Sequence, residues 1–306
     1  MSKTRRSLIR NVVGTVVIAA ILISCGGGDG QESSEAGGQA STIQDTTNVV
    51  ASVTGLSGPE SVRYDPDQDV YFVANFNGSN SDRDANGFIS KIASDGTIQE
   101  LQFMTGTEEA PMHVPRGMYI TGDTLWAVDT DGVHGFNRMT GEQVTFVDFT
   151  SFEIGFLNDV VQGPDGALYV TDTFQPRLYK ITNSIPTIVQ DSLPYSPNGI
   201  TISENGQHLI LCPWNGVQTF RGWFPADSTL KELKTYSTGG NFDGVEIVNG
   251  NWVVSSQMDS TIKWGDETII RTPGRPADIG IDTQRNHVAV PYIDLDRVDI
   301  WALPSE

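Results

Sequence analysis

A four-residue phrase recurs six times along this chain. Its copies are Pro59-Glu60-Ser61-Val62, Pro115-Arg116-Gly117-Met118, Leu157-Asn158-Asp159-Val160, Pro197-Asn198-Gly199-Ile200, Phe242-Asp243-Gly244-Val245 and Pro276-Ala277-Asp278-Ile279. Successive copies are 56, 42, 40, 45 and 34 residues apart. After a polar turn each is followed by a second apolar run, such as Val70-Tyr71-Phe72-Val73 or Leu168-Tyr169-Val170-Thr171, and then by a third, such as Arg177-Leu178-Tyr179-Lys180-Ile181. Turn signals, among them Gly163-Pro164-Asp165-Gly166 and Asn249-Gly250-Asn251, separate these runs. A period near forty with four short strands per unit is the mark of a propeller, and the alternating helical patterns that a parallel α/β sheet needs are absent. One such sheet cannot bury both of its faces, so six must stack around an axis. The expected fold is therefore all-β: a six-bladed β-propeller of four-stranded antiparallel blades. Val49 to Thr54, ahead of the first phrase, are expected to supply the outer strand of the last blade and close the ring, and the long first interval to hold a loop from Asn75 to Asn86.

Three segments are expected. Lys3, Arg5, Arg6 and Arg10 precede an apolar run from Val12 to Ile23 that is short for a bilayer span. Leu22-Ile23-Ser24-Cys25 and three glycines follow, which resembles a bacterial lipobox, with Ile23 bulkier than the usual residue at its place. Residues 1–24 are thus read as a lipoprotein signal peptide and Cys25 as the lipidation site. Residues 25–46, rich in Gly, Ser, Glu and Gln, form a tether that cannot bury a core. Residues 47–306 form the propeller. This reading puts the protein at the bacterial cell envelope, lipid-anchored on a periplasmic or surface face, with Gly26 after the Cys favouring the outer membrane of a Gram-negative cell. Cys212 is then the one remaining thiol, so no intrachain disulfide forms in the mature chain. A net charge of −19 excludes nucleic acid as a partner, and a monomer is expected.

The second position of the phrase carries the chemistry. It reads Glu60, Arg116, Asn158, Asn198, Asp243, Ala277. If the phrase opens the innermost strand of each blade, these side chains ring one end of the central channel. Two carboxylates and two amides make a hard, oxygen-only donor set of charge −2, suited to Ca²⁺, with Mg²⁺ or Mn²⁺ as further candidates. The spacing leaves a second reading open, in which Asn and Asp side chains merely cap strand ends.

The segments GPESVRYDPDQDVYFVAN, LNDVVQGPDGALYVTDT, SPNGITISENGQHLIL and FDGVEIVNGNWVVSS resemble the senescence marker protein, gluconolactonase and luciferin-regenerating-enzyme family, from about residue 50 to the end. The resemblance implies a six-bladed propeller with a catalytic divalent cation in its channel, held by Glu60, Asn158, Asn198 and Asp243. It implies hydrolysis of a small lactone or related ester, with Asp243 as the catalytic residue that positions or deprotonates water, or else as a ligand alone. Two departures bear on the substrate. Sugar-lactone members carry Arg where this chain has Phe156, which points to a less polar substrate. Arg116 falls where paraoxonase-like propellers place a His, and a guanidinium is no general base. Arg116 and Phe156 are therefore read as substrate-binding residues, with a channel-lining role as the other reading of Arg116.

Other motifs carry less. Asp82-Arg83-Asp84-Ala85-Asn86-Gly87 opens like a calcium loop, but Ala93 occupies the twelfth position, so it reads as a polar turn. The four His show no zinc spacing, and no G-x-S-x-G nucleophile motif occurs. Trp214, Trp223 and Phe224 are read as core or loop packing, with a substrate mouth as their second reading. The expected function is a metal-dependent hydrolase of lactones or esters. The competing class is a non-catalytic, lipid-anchored propeller that presents its rim to a protein or glycan.

Overall fold

The computed structural model describes residues 49–304. The expected signal peptide, Cys25 and tether lie outside the described residues. Six four-stranded antiparallel sheets make up the described chain. Five are meanders in chain order, and each begins with the strand that a phrase opens or leads into. The sixth takes Val49–Thr54 as its outermost strand, paired to Arg297–Ala302 with Val53 opposite Val298. The ring therefore closes with the first described strand, over the residues expected.

The second strand of each blade explains why the sheets stack. Val70–Asn75 is buried at every residue, as are Leu168–Asp172 and Leu209–Pro213. Side chains alternate across a strand, so Tyr71 and Val73 join one cluster while Val70, Phe72 and Ala74 join the next. The core is divided accordingly. The six apolar clusters among the described residues each sit between two consecutive blades: Phe72 and Ala74 of blade one meet Met118, Leu125 and Phe136 of blade two, and Phe149 and Val133 of blade two meet Leu157 and Tyr179 of blade three. Burying one such side chain contributes about 1.5–3 kcal/mol. Outermost strands such as Ile185–Gln190, with one neighbouring strand only, stay largely exposed or half-buried.

The innermost strands differ in a way that matters for the channel. Four begin at the first residue of the phrase: Pro59–Asp65, Leu157–Gln162, Pro197–Ile202 and Phe242–Val248. In each the ladder to the second strand slips just after that first pair, which forms a β-bulge over Glu60, Asn158, Asn198 or Asp243. In blades two and six the strand starts later, at Met118 and Gly280, with no slip. The four bulges thus coincide with the four oxygen-donor residues, and Arg116 and Ala277 lie outside them. A bulge re-aims the side chain it carries.

The third position of the phrase is set by crowding between blades. A Cβ at Gly117 would lie 2.0 Å from Asp159 Oδ1, and one at Gly199 would lie 2.1 Å from the carbonyl oxygen of Asp243. The blades are also joined directly there: Gly117 N donates to Asn158 O, Val62 N to Asp278 O and Asp278 N to Glu60 O. Backbone ties between neighbouring blades therefore fix the carbonyls on either side of the channel.

Candidate metal and ligand site

The innermost strands start at the same end of the ring, and the loops that enter them share that end with the turns between second and third strands. A second device positions the entering loops. The polar residue that ends the second strand accepts their backbone N–H groups: Asn75 from Ser57, Asp129 from His113 and Val114, Asp172 from Gly155 and Phe156, and Ser256 from Gly240. Asp172 thereby fixes the backbone of Phe156 directly ahead of the third phrase. A polar residue closing an apolar run, as in Val-Ala-Asn75 or Val-Thr-Asp172, is the signal in the sequence that marks these residues.

At this end lies a cavity of about 340 Å³. Glu60, Asn158, Asn198 and Asp243 all line it. Each is at most 4% exposed. Glu60 Oε2, Asn198 Oδ1 and Asp243 Oδ1 are buried with no hydrogen-bond partner. An unpaired buried polar atom costs about 1–3 kcal/mol, so three of them on one cavity are an arrangement that a ligand would relieve. Asp243 is held from the other side: Gln257 Nε2 donates to its Oδ2 at 2.6 Å. Gln257 also lines the cavity, as does Thr173, whose Oγ1 is buried and unpaired. Neither was singled out from the sequence, because neither belongs to the phrase.

Electrostatics point the same way. Burial pushes the Glu60 carboxyl well above its usual range, and the neighbouring charges of Asp243 and Asp278 push it further, against the pull of Arg116. Burial and then Asp278 raise Asp243, against the Gln257 hydrogen bond. Asp278 is itself raised to about 6, by burial first, while Arg63 and the Ser61 hydroxyl oppose the shift. A divalent cation among these groups would favour their charged forms. Among the described residues no three His, Cys, Asp or Glu side chains assemble as a metal cluster; the set on this cavity has two acids and completes itself with amides.

Deeper in the channel a different layer is satisfied internally. Asp159 accepts from the backbone N–H of Val160 and Ile200, Asp278 accepts from Ser61, and Arg63 pairs with Glu246 while donating to Met118 O.

The cavity walls are aromatic. Phe76, Phe156, Phe174 and Trp214 line it together with Ile293. At the rim Arg275 is paired with Asp294. Trp223, in contrast, is buried in the core between blades three and four, and Phe224 stacks on His208. Arg116 does not line this cavity. Its guanidinium lies 3.8 Å from the centre of the Phe156 ring and donates to Leu157 O and Asn80 O. Phe156 thus touches the Arg116 guanidinium and also lines the cavity of the oxygen donors.

The remaining candidates have structural roles. His113 Nδ1 accepts from Ala85 N, and His134 pairs with Asp129 at 3.2 Å inside blade two. In the acidic turn Asp82 accepts from Ser79 N and Arg83 pairs with Asp131. Cys212 is a buried free thiol, and burial raises its pKa well above the usual value.

No known protein family matches this chain, and neither does any curated protein. Solved structures do. A streptogramin B lyase is 13% identical with a TM-score of 0.59, covering 84% of this chain and 97% of that one. The virginiamycin B lyase from Staphylococcus aureus is 14% identical with a TM-score of 0.60, over 84% and 100%. The β-propeller domain of Cps50 (Swd1) from Myceliophteria thermophila is 11% identical with a TM-score of 0.57, over 84% and 100%. At such identities the likeness is one of fold, and it establishes the propeller.

Proposed function

We propose that the channel cavity holds one divalent, oxygen-coordinated cation, Ca²⁺ by preference, and that the protein opens lactones or related esters there. The observation that carries this reading is the set of three buried, unpaired oxygens on Glu60, Asn198 and Asp243, with Asn158 on the same cavity wall. Carboxylate and amide oxygens are the ligands a hard cation takes, and the resemblance to the senescence marker protein and gluconolactonase family picks out the same four residues.

When bound, such a cation supplies Lewis-acid polarisation of an ester carbonyl. The chain's own residues do the rest. Glu60, Asn158, Asn198 and Asp243 would hold the ion. Gln257 locks Oδ2 of Asp243 and leaves Oδ1 without a partner, so that it can orient a water molecule and accept its proton. Thr173 Oγ1 is free to donate to a substrate oxygen. The aromatic walls exclude water and favour an apolar acyl or alcohol portion over a polyhydroxylated sugar. Lipid anchorage at the cell envelope through Cys25 belongs to the same proposal.

Two of the structural neighbours are lyases, and a lyase cleaves without water. The test is therefore a panel of apolar lactones and esters in ¹⁸O-labelled water with and without Ca²⁺. Calcium-dependent opening with one labelled oxygen in the product carboxylate is expected. Opening without label would replace hydrolysis by elimination, and a wild-type protein that binds no divalent cation would overturn the site.

A further inference from the structure

Behind Phe156 lies a second, smaller cavity of about 130 Å³. Asn80, Arg83, Arg116, Thr130, Gly155 and Phe156 contribute to its walls. Phe156 and Asn80 also line the larger cavity, so the two spaces share a wall. Arg116 is 1% exposed. Two of its nitrogens are used by backbone carbonyls, but Nε has no partner. Oγ1 of Thr130 is likewise shielded from solvent and unpaired.

Arg116 carries a buried charge without a counter-ion. Three acids lie near it, and none forms an ion pair with it. Asp129 accepts from His113 N, Val114 N and His134. Asp172 accepts from the N–H groups of Gly155, Phe156 and Gln175. Glu60 lines the larger cavity. Burial accordingly pushes the Arg116 guanidinium down to about 10, with Asp129, Glu60 and Asp172 only partly opposing, so it remains protonated at neutral pH. The second guanidinium on the small cavity, Arg83, is already neutralised by Asp131. The site thus has one net positive charge and two idle donors, Nε–H of Arg116 and the hydroxyl of Thr130. Burying a cation without a partner is costly, and a carboxylate bound through charge-assisted hydrogen bonds is the group that Arg holds best.

We infer that this side cavity is a binding site for a monovalent carboxylate, held by Arg116 and Thr130 behind the ring of Phe156. The carboxylate belongs either to a free small acid or to the far end of a molecule seated in the larger cavity; the shared wall at Phe156 admits both sources. The binding itself does not depend on the proposed hydrolysis.

The experiment follows the Nε–H resonance of Arg116 in ¹⁵N-labelled protein, identified by its loss in Arg116→Lys. Sodium acetate and monomethyl succinate are the probes, at constant ionic strength, with and without Ca²⁺. Both are expected to shift that resonance saturably. Thr130→Val, which keeps the side-chain shape, is expected to weaken acetate several-fold while leaving calcium affinity unchanged. Tighter binding of monomethyl succinate than of acetate, seen only with Ca²⁺ present, identifies the end of a larger ligand; equal affinities identify a free acid. If neither acid gives a saturable shift, or if Thr130→Val binds acetate as tightly as the wild type, the proposal fails.

Discussion

Gln257 Nε2 donates to Oδ2 of Asp243 at 2.6 Å, and Oδ1 of the same carboxylate has no partner at all. The amide fixes the plane of the carboxylate from behind, so the free oxygen keeps one direction. Replacing Gln257 by Leu is expected to weaken calcium binding by about 10–100-fold, the usual cost of losing a group that orients a metal ligand. Calorimetric titration checks it, and an unchanged affinity would show that Asp243 is oriented by its bulge alone.

Glu60 and Asp243 trade stability for binding. Both are buried acids with an unpaired oxygen, and the charge of Asp243 adds to the effect of burial in raising Glu60. Glu60→Gln and Asp243→Asn are each expected to raise the melting temperature of calcium-free protein. Calcium should stabilise the wild type in proportion to its concentration over Kd and leave both variants unmoved. Thermal unfolding with and without the ion reads both effects; a destabilised Glu60→Gln that still responds to calcium would contradict the assignment.

Gly199→Ala is expected to destabilise by about 1–3 kcal/mol. The added Cβ would lie 2.1 Å from the Asp243 carbonyl oxygen, so blades four and five must separate. Urea unfolding measures the loss. Calcium affinity should fall with it, because the displaced backbone carries Asn198 on one side and Asp243 on the other.

Acid stability should depend on Asp129. Burial raises this carboxyl, but the hydrogen bond from His134 and the N–H groups of His113 and Val114 more than offset that and hold it at about 2. Its folded pKa is thus below the unfolded value of about 3.9. The group contributes stability at pH above the unfolded value and loses it as pH falls toward 2, in all about 2–3 kcal/mol. Asp129→Asn should be less stable than the wild type at pH 7, and the gap should narrow between about pH 5 and pH 2. A gap that stays constant across that range would assign the loss to packing.

The propeller was legible because its signal repeats. Six copies of one phrase, each followed by runs such as Val70-Tyr71-Phe72-Val73, give a period that chance does not sustain, and the closing strand Val49–Thr54 followed from counting strands per blade. The division of the phrases was legible too, since Arg116 and Ala277 differ in kind from the four oxygen donors, and the backbone makes the same division through its bulges. Gln257 and Thr173 were not legible. They follow the ends of second strands at no repeated residue type, and only folding brings them to the cavity. The position of Arg116 was hidden for a related reason. Phase along the repeat assigned it to the ring, but the innermost strand of blade two starts at Met118, and the unbulged segment before it lets the guanidinium turn behind Phe156.

The closing strand has one more consequence. Val49 is the register partner of Trp301, so the first and last strands of the ring lie side by side, and a few linking residues would join them. A circularly permuted chain, cut instead at the turn of Asn249 and Gly250 on the face opposite the cavity, would keep all six sheets and all four oxygen donors. The order of the blades along the chain is then a matter of where the ring is cut.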